Sequence, residues 1–392
     1  TDPKTGEIIA EYPGQDYLKV QINAATQEHF QAGSTFKPFG MIASLEQGGS
    51  LNDTYPGNSP QTIQGVPIKN AGGVSYGTVT LAQATAKSVN TAYVTLNAKV
   101  GPSLTKEVAI RLGYPENTPG LDDSLTNVLG SASPTAANIA EAYGTIANQG
   151  KRETVHMIRQ VTDTSGDIVY MPSFSADQVV ERNVALTATQ ALTGAFQAGG
   201  TAVKAQIGRP SAGKTGSSTD NKSAVFAGFI PQVVTIVSLY QSGPNGEEQA
   251  ISPFGGIREV TGSTWPAWLW KQYMSGAVKG LEVEQFAKAQ KLKKVEVTRS
   301  EEPSPTETEP SLRPSPDESL SPSPSLSPSP STPRSPGNLP SNEPGDGSGG
   351  TEPSPTIPGT SGFVPSPSNS PVPPSPAPGG EGGTTESGEP VT

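Results

Sequence analysis

Apolar residues recur at helical spacing in several segments of the first 295 residues and run together in others. Phe39, Met41, Ile42 and Leu45 follow one face of a helix, which the glycine pair after them ends. Similar spacing predicts two helices interrupted near Ser88. Later helices are predicted in the segments SPTAANIAEAYGTIANQG, VALTATQALTGAFQAGG and TWPAWLWKQYMSGAV.

Strands are predicted before and after this helical region. Residues Glu7 to Tyr12 follow a turn signal and read as a strand, and IRQVTDTSGDIVYMP predicts a hairpin about Ser165 and Gly166. Strands rich in Val and Phe then follow one another in GKTGSSTDNKSAVFAGFIPQVVTIVSLYQ. The order predicts an α+β fold, an antiparallel sheet covered by helices on both faces, rather than a repeat of β-α-β units.

The ends of two elements are marked by specific residues. Ser133 is the predicted N-cap of the helix in SPTAANIAEAYGTIANQG, with Pro134 at its first position and Gly150 past its end. In the earlier helix, Pro38 falls in the first turn, where it removes few hydrogen bonds and fixes the helix entrance. Pro38 therefore favours a helix that begins close to Ser34.

The composition changes towards the C-terminus. From Glu301 onward the chain is mostly Pro, Ser, Gly, Thr and Glu, with one aromatic residue, Phe363. Such a segment buries too little apolar surface to offset its ordering entropy, so we predict a folded domain over residues 1–295 and a disordered tail over residues 296–392. The P-S-P repeats of the tail fit a solvated spacer, an O-glycosylated segment or a segment that binds a wall component.

Charge and cysteine content narrow the function classes. From residue 301 onward, two arginines and 12 acidic residues account for the whole formal net charge of −10, so the predicted domain has no basic excess for nucleic acid. The chain has no cysteine, which excludes disulfides and thiolate metal sites and is compatible with export. The two histidines and the scattered carboxylates have no metal-ligand spacing, so we predict no metal and no cofactor.

The N-terminal residues raise an expectation about the length of the protein. A hairpin needs a strand on both sides of its turn, and only Thr1 precedes the turn signal Asp2–Gly6. No apolar run reaches the roughly 20 residues of a membrane span. We therefore expect a C-terminal fragment whose membrane anchor or additional domain lies upstream.

A serine and a lysine at the first predicted helix entrance suggest nucleophilic chemistry. Ser34 and Lys37 are three residues apart, so both side chains lie on one helix face. Free N–H groups and the helix dipole favour developing negative charge at that end. A Ser-His-Asp triad would need His29 or His156, and we interpret both as incidental. A serine with a lysine base is the remaining arrangement.

The signature of such hydrolases is S-x-x-K, then S-x-N, then K-T-G, and each part occurs here more than once. The copies that order and context remove are Ser103–Lys106 and Ser211–Lys214 for the first part, Ser50–Asn52 for the second, and Lys4–Gly6 for the third. The copies that remain, in order, are Ser34 with Lys37, Ser88 with Asn90, and Lys214 with Thr215 and Gly216.

These motifs, with the strings DPKTGEIIA, GTVTLAQATAKSVNTA, LGSASPTAANIAEAYGTIANQG and WLWKQYM, resemble the penicillin-binding transpeptidase domain of the class A (bifunctional) type. The resemblance covers residues 1 to about 280 and implies the fold of serine β-lactamases and transpeptidases. It implies a serine D,D-transpeptidase in which Ser34 attacks the penultimate D-Ala carbonyl of a peptidoglycan stem peptide. An amine of a neighbouring stem then takes the acyl group, and penicillins acylate the same serine.

The resemblance also assigns roles to the other motif residues. Lys37 is the base for acylation, Ser88 relays protons, and Asn90 holds the amide of the donor peptide. Lys214 and Thr215 bind the substrate carboxylate.

Two further roles concern the backbone. Gly216 has no side chain and lets neighbouring backbone segments approach each other. The N–H groups of Ser34 and Ser217 form the oxyanion hole. Expected partners are stem peptides, β-lactam antibiotics, and an upstream glycosyltransferase domain with a membrane anchor. These expected partners imply a domain that lies outside the cytoplasm and faces the cell wall.

Other functions share the acylation chemistry. A D,D-carboxypeptidase or a β-lactamase passes the acyl group to water, and no acidic residue between Asn90 and Lys214 fits the loop pattern of a β-lactamase base. A non-catalytic penicillin sensor keeps the acylating residues, so the sequence leaves it open.

Overall fold

The computed structural model describes residues 1–14, 16, 18–173, 176–243 and 246–292. The tail predicted over residues 296–392 lies outside the described residues. Within the described part, no helix is long and apolar enough to cross a membrane.

Seven α-helices lie in the described residues, and all except α4 match a segment predicted from apolar spacing. They are α1 (Lys37–Glu46), α2 (Leu81–Lys87), α3 (Asn90–Val100), α4 (Pro102–Leu112), α5 (Ala136–Ala147), α6 (Arg182–Thr193) and α7 (Trp265–Ala277). A 3-10 helix, Gly33–Phe36, leads directly into α1. The predicted interruption between α2 and α3 is confirmed at Ser88 and Val89.

The strands form one larger antiparallel sheet and several two-stranded ones. They are β1 (Thr54–Pro56), β2 (Gln61–Ile63), β3 (Val66–Ile68), β4 (Thr78–Thr80), β5 (Lys151–Arg152), β6 (Val161–Thr162), β7 (Ile168–Tyr170), β8 (Asp177–Gln178), β9 (Ala212–Ser217), β10 (Ser223–Ile230), β11 (Val233–Ser242) and β12 (Glu248–Gln249). The larger sheet has the order β12-β11-β10-β9. The hairpin β6–β7 confirms the predicted turn about Ser165 and Gly166.

Helices cover both faces of the larger sheet. All eight residues of β10 are buried, which explains why its sequence is nearly continuous in apolar and small residues. On one face Phe226 packs edge-on against Trp270 of α7, with ring centroids 5.4 Å apart. On the other face Phe229 packs against Tyr143 of α5 at 6.5 Å. The predicted α+β arrangement is confirmed.

Helix α1 is the most enclosed helix of the domain. Every residue from Lys37 to Leu45 is buried, and only Glu46 at its end is not. Gly40 permits this packing, since a Cβ atom there would lie 2.9 Å from a methyl group of Val128. An apolar helix that is buried all round owes its position to packing rather than to an amphipathic face. The structure therefore places the entrance of α1, and Ser34 with it, against the core.

The predicted strand Glu7–Tyr12 is wrong. In this region the structure has one isolated bridge, between Glu7 and His156. The turn before it forms as predicted, with the N–H of Gly6 donating to the carbonyl of Asp2. The turn signal and the apolar residues after it predicted the strand, but the residues after Glu7 have no neighbouring strand in the described structure to complete a ladder.

The predicted N-cap of α5 is also wrong by two residues. Thr135 is the N-cap and forms a capping box with Asn138. The residues before it are already engaged, because the N–H of Ser133 donates to Pro119 and the carbonyl of Pro134 accepts from Phe30. This tertiary pairing overrides the local preference for Pro at the first helical position.

Candidate active site

A 3-10 turn brings the side chains of Ser34 and Lys37 together. Residues three apart eclipse in a 3-10 helix, which is tighter than an α-helix. Lys37 Nζ lies 2.9 Å from Ser34 Oγ. The prediction that these residues share one face at a helix entrance is confirmed.

Glycines hold the Ser34 turn close to β9. Gly33 has φ +53°, and a Cβ atom there would lie between 2.6 and 2.9 Å from backbone atoms of Ser217. Gly216 faces the same loop, since a Cβ atom on it would lie 2.5 Å from the carbonyl oxygen of Ala32. On its other side the loop is fixed by the N–H of Gly33, which donates to the carbonyl of Gly130 at 3.0 Å. Side chains at these positions would push the serine away from the strand.

Ser88 occupies the break between α2 and α3 in an unusual conformation. Its φ and ψ of 57° and 42° lie in the left-handed region, which non-glycine residues rarely adopt and which is often found at functional sites. In this conformation Ser88 contacts Lys37 Nζ through both its carbonyl oxygen, at 2.8 Å, and its Oγ, at 3.1 Å. The strained residue thus aims two oxygens at one amine.

The partners of Lys37 define which protonation state its amine can use. Besides Ser34 and the two atoms of Ser88, Asn90 Oδ1 lies 2.6 Å from Nζ. Two of the four partners, the Ser88 carbonyl and Asn90 Oδ1, can only accept hydrogen bonds. A neutral amine has two hydrogens for these two oxygens, which leaves its lone pair for the hydroxyl proton of Ser34. The geometry therefore fits a lysine that acts as a base.

Lys214 approaches the same hydroxyl from the sheet. It lies on β9, and its Nζ is 2.7 Å from Ser88 Oγ and 3.1 Å from the carbonyl oxygen of Thr215. Ser88 Oγ therefore bridges the amines of Lys37 and Lys214. A hydroxyl in this position can accept a proton from one amine and pass its own to another group.

Burial keeps both amines from holding a proton firmly. Lys37 and Lys214 are completely buried. Burial lowers the pKa of Lys37 well below its usual range, and the nearby charge of Lys214 lowers it further. Burial lowers the pKa of Lys214 to about 7. None of the ion pairs found in the described residues joins a carboxylate to either lysine. Strongly perturbed groups that converge in this way are typical of active sites.

The end of β9 presents backbone N–H groups to the site. The N–H of Ser218 donates to Ser223 of β10, and hydrogen bonds alternate along an antiparallel pair. The N–H of Ser217, one residue earlier, therefore points away from β10, toward the loop that carries Ser34. The side chain of Ser217 is exposed, and its Oγ accepts a hydrogen bond from the N–H of Gly262 at 3.1 Å.

The structure brings together the motif copies that order and context favoured, and serines of the rejected copies have partners outside the site. Ser103 Oγ contacts Asp123, and Ser211 Oγ donates to the carbonyl of Arg209. The N–H of Asn52 donates to Ser50 Oγ within one turn. Both histidines contact backbone carbonyl groups, those of Ser133 and Thr154.

Sequence reasoning missed several residues around the site. The ring of Tyr93 lies 5.6 Å from Lys37 Nζ, and the carbonyl of Lys69 accepts a hydrogen bond from Asn90 Nδ2 at 2.9 Å. Thr201 Oγ1 accepts a hydrogen bond from the hydroxyl of Thr215 at 2.8 Å. Tyr93 could have been found from its place one turn after Asn90 in α3. The sequence has no signal for a backbone carbonyl, or for a threonine in a loop after α6.

The fold and this arrangement define a domain of the β-lactamase-like class. Among the described residues, no histidine contributes to the serine site. The chain belongs to the family of the penicillin-binding protein transpeptidase domain, whose family model matches residues 1–253.

Relatives and solved structures agree with this assignment. Penicillin-binding protein 1A of Mycolicibacterium smegmatis is 30% identical over 309 residues, which are 73% of this chain and 38% of that protein. Penicillin-binding protein 1A of Neisseria gonorrhoeae is 32% identical over 293 residues, 71% of this chain and 35% of that protein. The structure of the PonA1 protein from Mycobacterium tuberculosis in complex with penicillin V is 29% identical, with a TM-score of 0.67 over 74% of this chain and 80% of that one.

These comparisons confirm the resemblance to class A penicillin-binding proteins and the predicted fold. The chain spans 35–38% of the length of these curated relatives.

Proposed function

We propose that this chain is the serine D,D-transpeptidase domain of a longer protein and cross-links peptidoglycan stem peptides through an acyl-enzyme on Ser34. The contact set of Lys37 carries the proposal. Its amine is within hydrogen-bond distance of the nucleophile Ser34, of Ser88 and of Asn90, while burial favours its neutral form. A nucleophile with an adjacent base and a second hydroxyl is the arrangement that acyl transfer through serine needs.

Acylation then proceeds as follows. Ser34 Oγ attacks the carbonyl carbon of the penultimate D-Ala, and its proton passes to the lone pair of Lys37 Nζ. The carbonyl oxygen becomes an oxyanion that accepts hydrogen bonds from the N–H groups of Ser34 and Ser217. When the tetrahedral intermediate collapses, the bond to the terminal D-Ala nitrogen breaks. That nitrogen takes the Ser88 hydroxyl proton, and Lys37 returns a proton to Ser88.

Transfer to the acceptor reverses these steps. The amine of a neighbouring stem attacks the ester carbon, its proton passes to Lys37, and Ser34 leaves as the hydroxyl. Before acylation, Lys214 and Thr215 hold the carboxylate of the terminal D-Ala of the donor peptide, which leaves with that residue, and Asn90 holds the donor's amide. The buried position of Lys214 strengthens its interaction with the carboxylate when its amine is protonated, because charges attract more strongly when water is excluded.

Among the described residues, no carboxylate contacts the lysines and serines of the site, which argues against a β-lactamase. Within the described residues, the hydrogen-bond partners of Lys37, Ser88 and Lys214 are hydroxyl, carbonyl and amine groups. The β-lactamase alternative requires a carboxylate base for deacylation.

We further propose that the full protein has a glycosyltransferase domain and a membrane anchor, and that the transpeptidase domain faces the cell wall outside the cytoplasm.

A labelled penicillin tests the nucleophile. The full chain is incubated with the drug and its intact mass is followed for hours, with Ser34→Ala and, as a matched control, Ser103→Ala from the rejected motif copy. We expect one stable adduct that the first variant loses and the control keeps. No adduct on a folded wild-type chain would contradict the proposal.

Stem peptides then separate the alternatives. A donor pentapeptide and an acceptor stem with a free amine are supplied together, and products are identified by mass. Cross-linked product supports the transpeptidase. Release of D-Ala without cross-linking would indicate a carboxypeptidase. Rapid hydrolysis of penicillin would indicate a β-lactamase. A stable penicillin adduct with no turnover of the peptides would indicate a sensor.

A further inference from the structure

The loop between α6 and β9 contacts two of the elements that form the site. After α6 the chain continues in a 3-10 helix, Gly194–Phe196, and reaches Thr201. The N–H of Thr201 donates to the carbonyl of Ala86 in α2 at 3.1 Å, two residues before Ser88. Its Oγ1 accepts the hydroxyl proton of Thr215 on β9 at 2.8 Å. Thr201 thus joins the S-x-N segment to the K-T-G strand.

The packing of this loop fixes where Thr201 stands. A Cβ atom on Gly194 would lie 3.1 Å from the Cβ of Ala86, so the loop runs in contact with the end of α2. Ala202, the next residue after Thr201, is completely buried, and its N–H donates to the carbonyl of Ala195 at 2.8 Å. Because these backbone contacts already fix the chain on both sides of Thr201, orienting the Thr201 hydroxyl costs little additional conformational entropy.

The protons of the two hydroxyls show what Thr201 can contribute. Thr215 has one hydroxyl proton, and in this structure it donates that proton to Thr201 Oγ1. An ionised carboxylate only accepts hydrogen bonds, so Thr215 must turn its proton to the carboxylate when one binds. Thr201 can then reverse the bond and donate its own proton to Thr215. Hydrogen bonds in such a chain strengthen one another.

We infer that Thr201 is a positioning residue for the substrate carboxylate and acts through Thr215. The inference rests on the proposed function, in which Lys214 and Thr215 hold that carboxylate. The ligands concerned are peptides and β-lactams that carry a free carboxylate next to the group that acylates Ser34. Thr201 does not touch the ligand. Thr201 sets the direction of the Thr215 hydroxyl and donates a hydrogen bond to the Thr215 oxygen once Thr215 donates its own proton to the carboxylate.

Paired probes test this role. Thr201→Val removes the hydroxyl at nearly constant volume, and Thr201→Ser keeps it. Thr95→Val is the matched control, because the Thr95 hydroxyl bonds only to its own helix, at the carbonyl of Thr91. Each variant of the full chain is acylated with benzylpenicillin and with its methyl ester, which lacks the carboxylate. The rate is measured against drug concentration, which separates binding from the chemical step.

We expect Thr201→Val to lower the second-order rate with benzylpenicillin about fivefold, the scale of one hydrogen bond of about 1 kcal/mol between uncharged groups. The loss should lie mainly in the apparent dissociation constant. With the ester, the same variant should change the rate less than about twofold, and Thr201→Ser should recover most of the rate with benzylpenicillin.

Other results would overturn the inference. These are an unchanged rate in Thr201→Val, equal losses with both probes, or the same selective loss in Thr95→Val. If thermal melting shows that Thr201→Val does not fold, Thr201→Ala takes its place with the same expectations. A wild-type chain that neither probe acylates would overturn the proposed function itself, and this inference with it.

Discussion

Replacing Lys214 with methionine should change how the stability of the domain depends on pH. The ordinary pKa of a lysine is 10.5, and burial lowers that of Lys214 to about 7. Between these values the unfolded chain binds a proton that the folded chain does not, so the free energy of unfolding rises with pH. Below pH 7 both states bind the proton, and the contribution of Lys214 no longer changes.

The expected size follows from the two pKa values. Integrated from pH 6 to pH 9, the difference in bound protons gives about 2–3 kcal/mol of added stability in the wild-type chain. Lys214→Met removes this gain, and it also removes the nearby charge that helps to lower the pKa of Lys37. The wild-type free energy of unfolding should therefore rise by about 2–3 kcal/mol more than that of the variant.

Urea unfolding at a series of pH values measures this difference, with equal slopes in urea as the condition for comparing free energies. Lys4→Met, at an exposed position, is the control and should follow the wild type. Subtracting the variant curve from the wild-type curve cancels the tyrosines and carboxylates that both chains share. Parallel curves for wild type and Lys214→Met between pH 6 and pH 9 would refute the claim that the buried amine loses its proton near neutrality.

Three further outcomes are expected. Because burial lowers the pKa of Lys37 well below its usual range, acylation by penicillin should stay fast at neutral pH and slow once the pH is low enough to protonate Lys37, since a protonated amine cannot accept the serine proton; a rate that stays constant in stopped-flow experiments down to the pH at which the domain unfolds would count against a lysine base. Gly33→Ala should destabilise the domain by about 1–2 kcal/mol because of its positive φ alone. It should also slow acylation more than about tenfold, because the new Cβ would displace Ser217. Gly65→Ala, also at a positive φ but with open space around it, should lose stability in melting experiments and keep its rate in acylation assays. Trp270→Ala, which empties a fully buried position, should cost about 3–5 kcal/mol in urea unfolding, and Trp268→Ala, at a residue that is 45% exposed, much less; equal costs would contradict the packing described.

The sequence predicted most of what is local in the fold. Helical spacing gave the positions of α1 and α7, and the run of Val and Phe gave β10 and β11, because these patterns arise from burial. The early strand and the N-cap of α5 were wrong because both depend on segments distant in sequence. Whether residues after Glu7 form a ladder depends on a partner strand, and Ser133 is diverted by Pro119.

For the site, the motif order selected from several copies the lysines and serines that the structure brings together. It could do so because the roles require a helix entrance, a break between helices and a strand, and only one set of copies has these settings. The sequence could not show that Ser88 adopts a left-handed conformation or that Thr201 lies beside Thr215. Both facts result from tertiary packing, in which residues far apart in sequence fix each other's conformation.

The burial of α1 has a consequence for how the protein loses activity. Because nearly every residue of this helix is enclosed, the turn that carries Ser34 cannot open as a separate unit while the rest of the domain stays folded. The amide hydrogens of α1 should then exchange with solvent only when the whole domain unfolds. In rising denaturant, the ability to form a penicillin adduct should be lost together with the global structure and not before it.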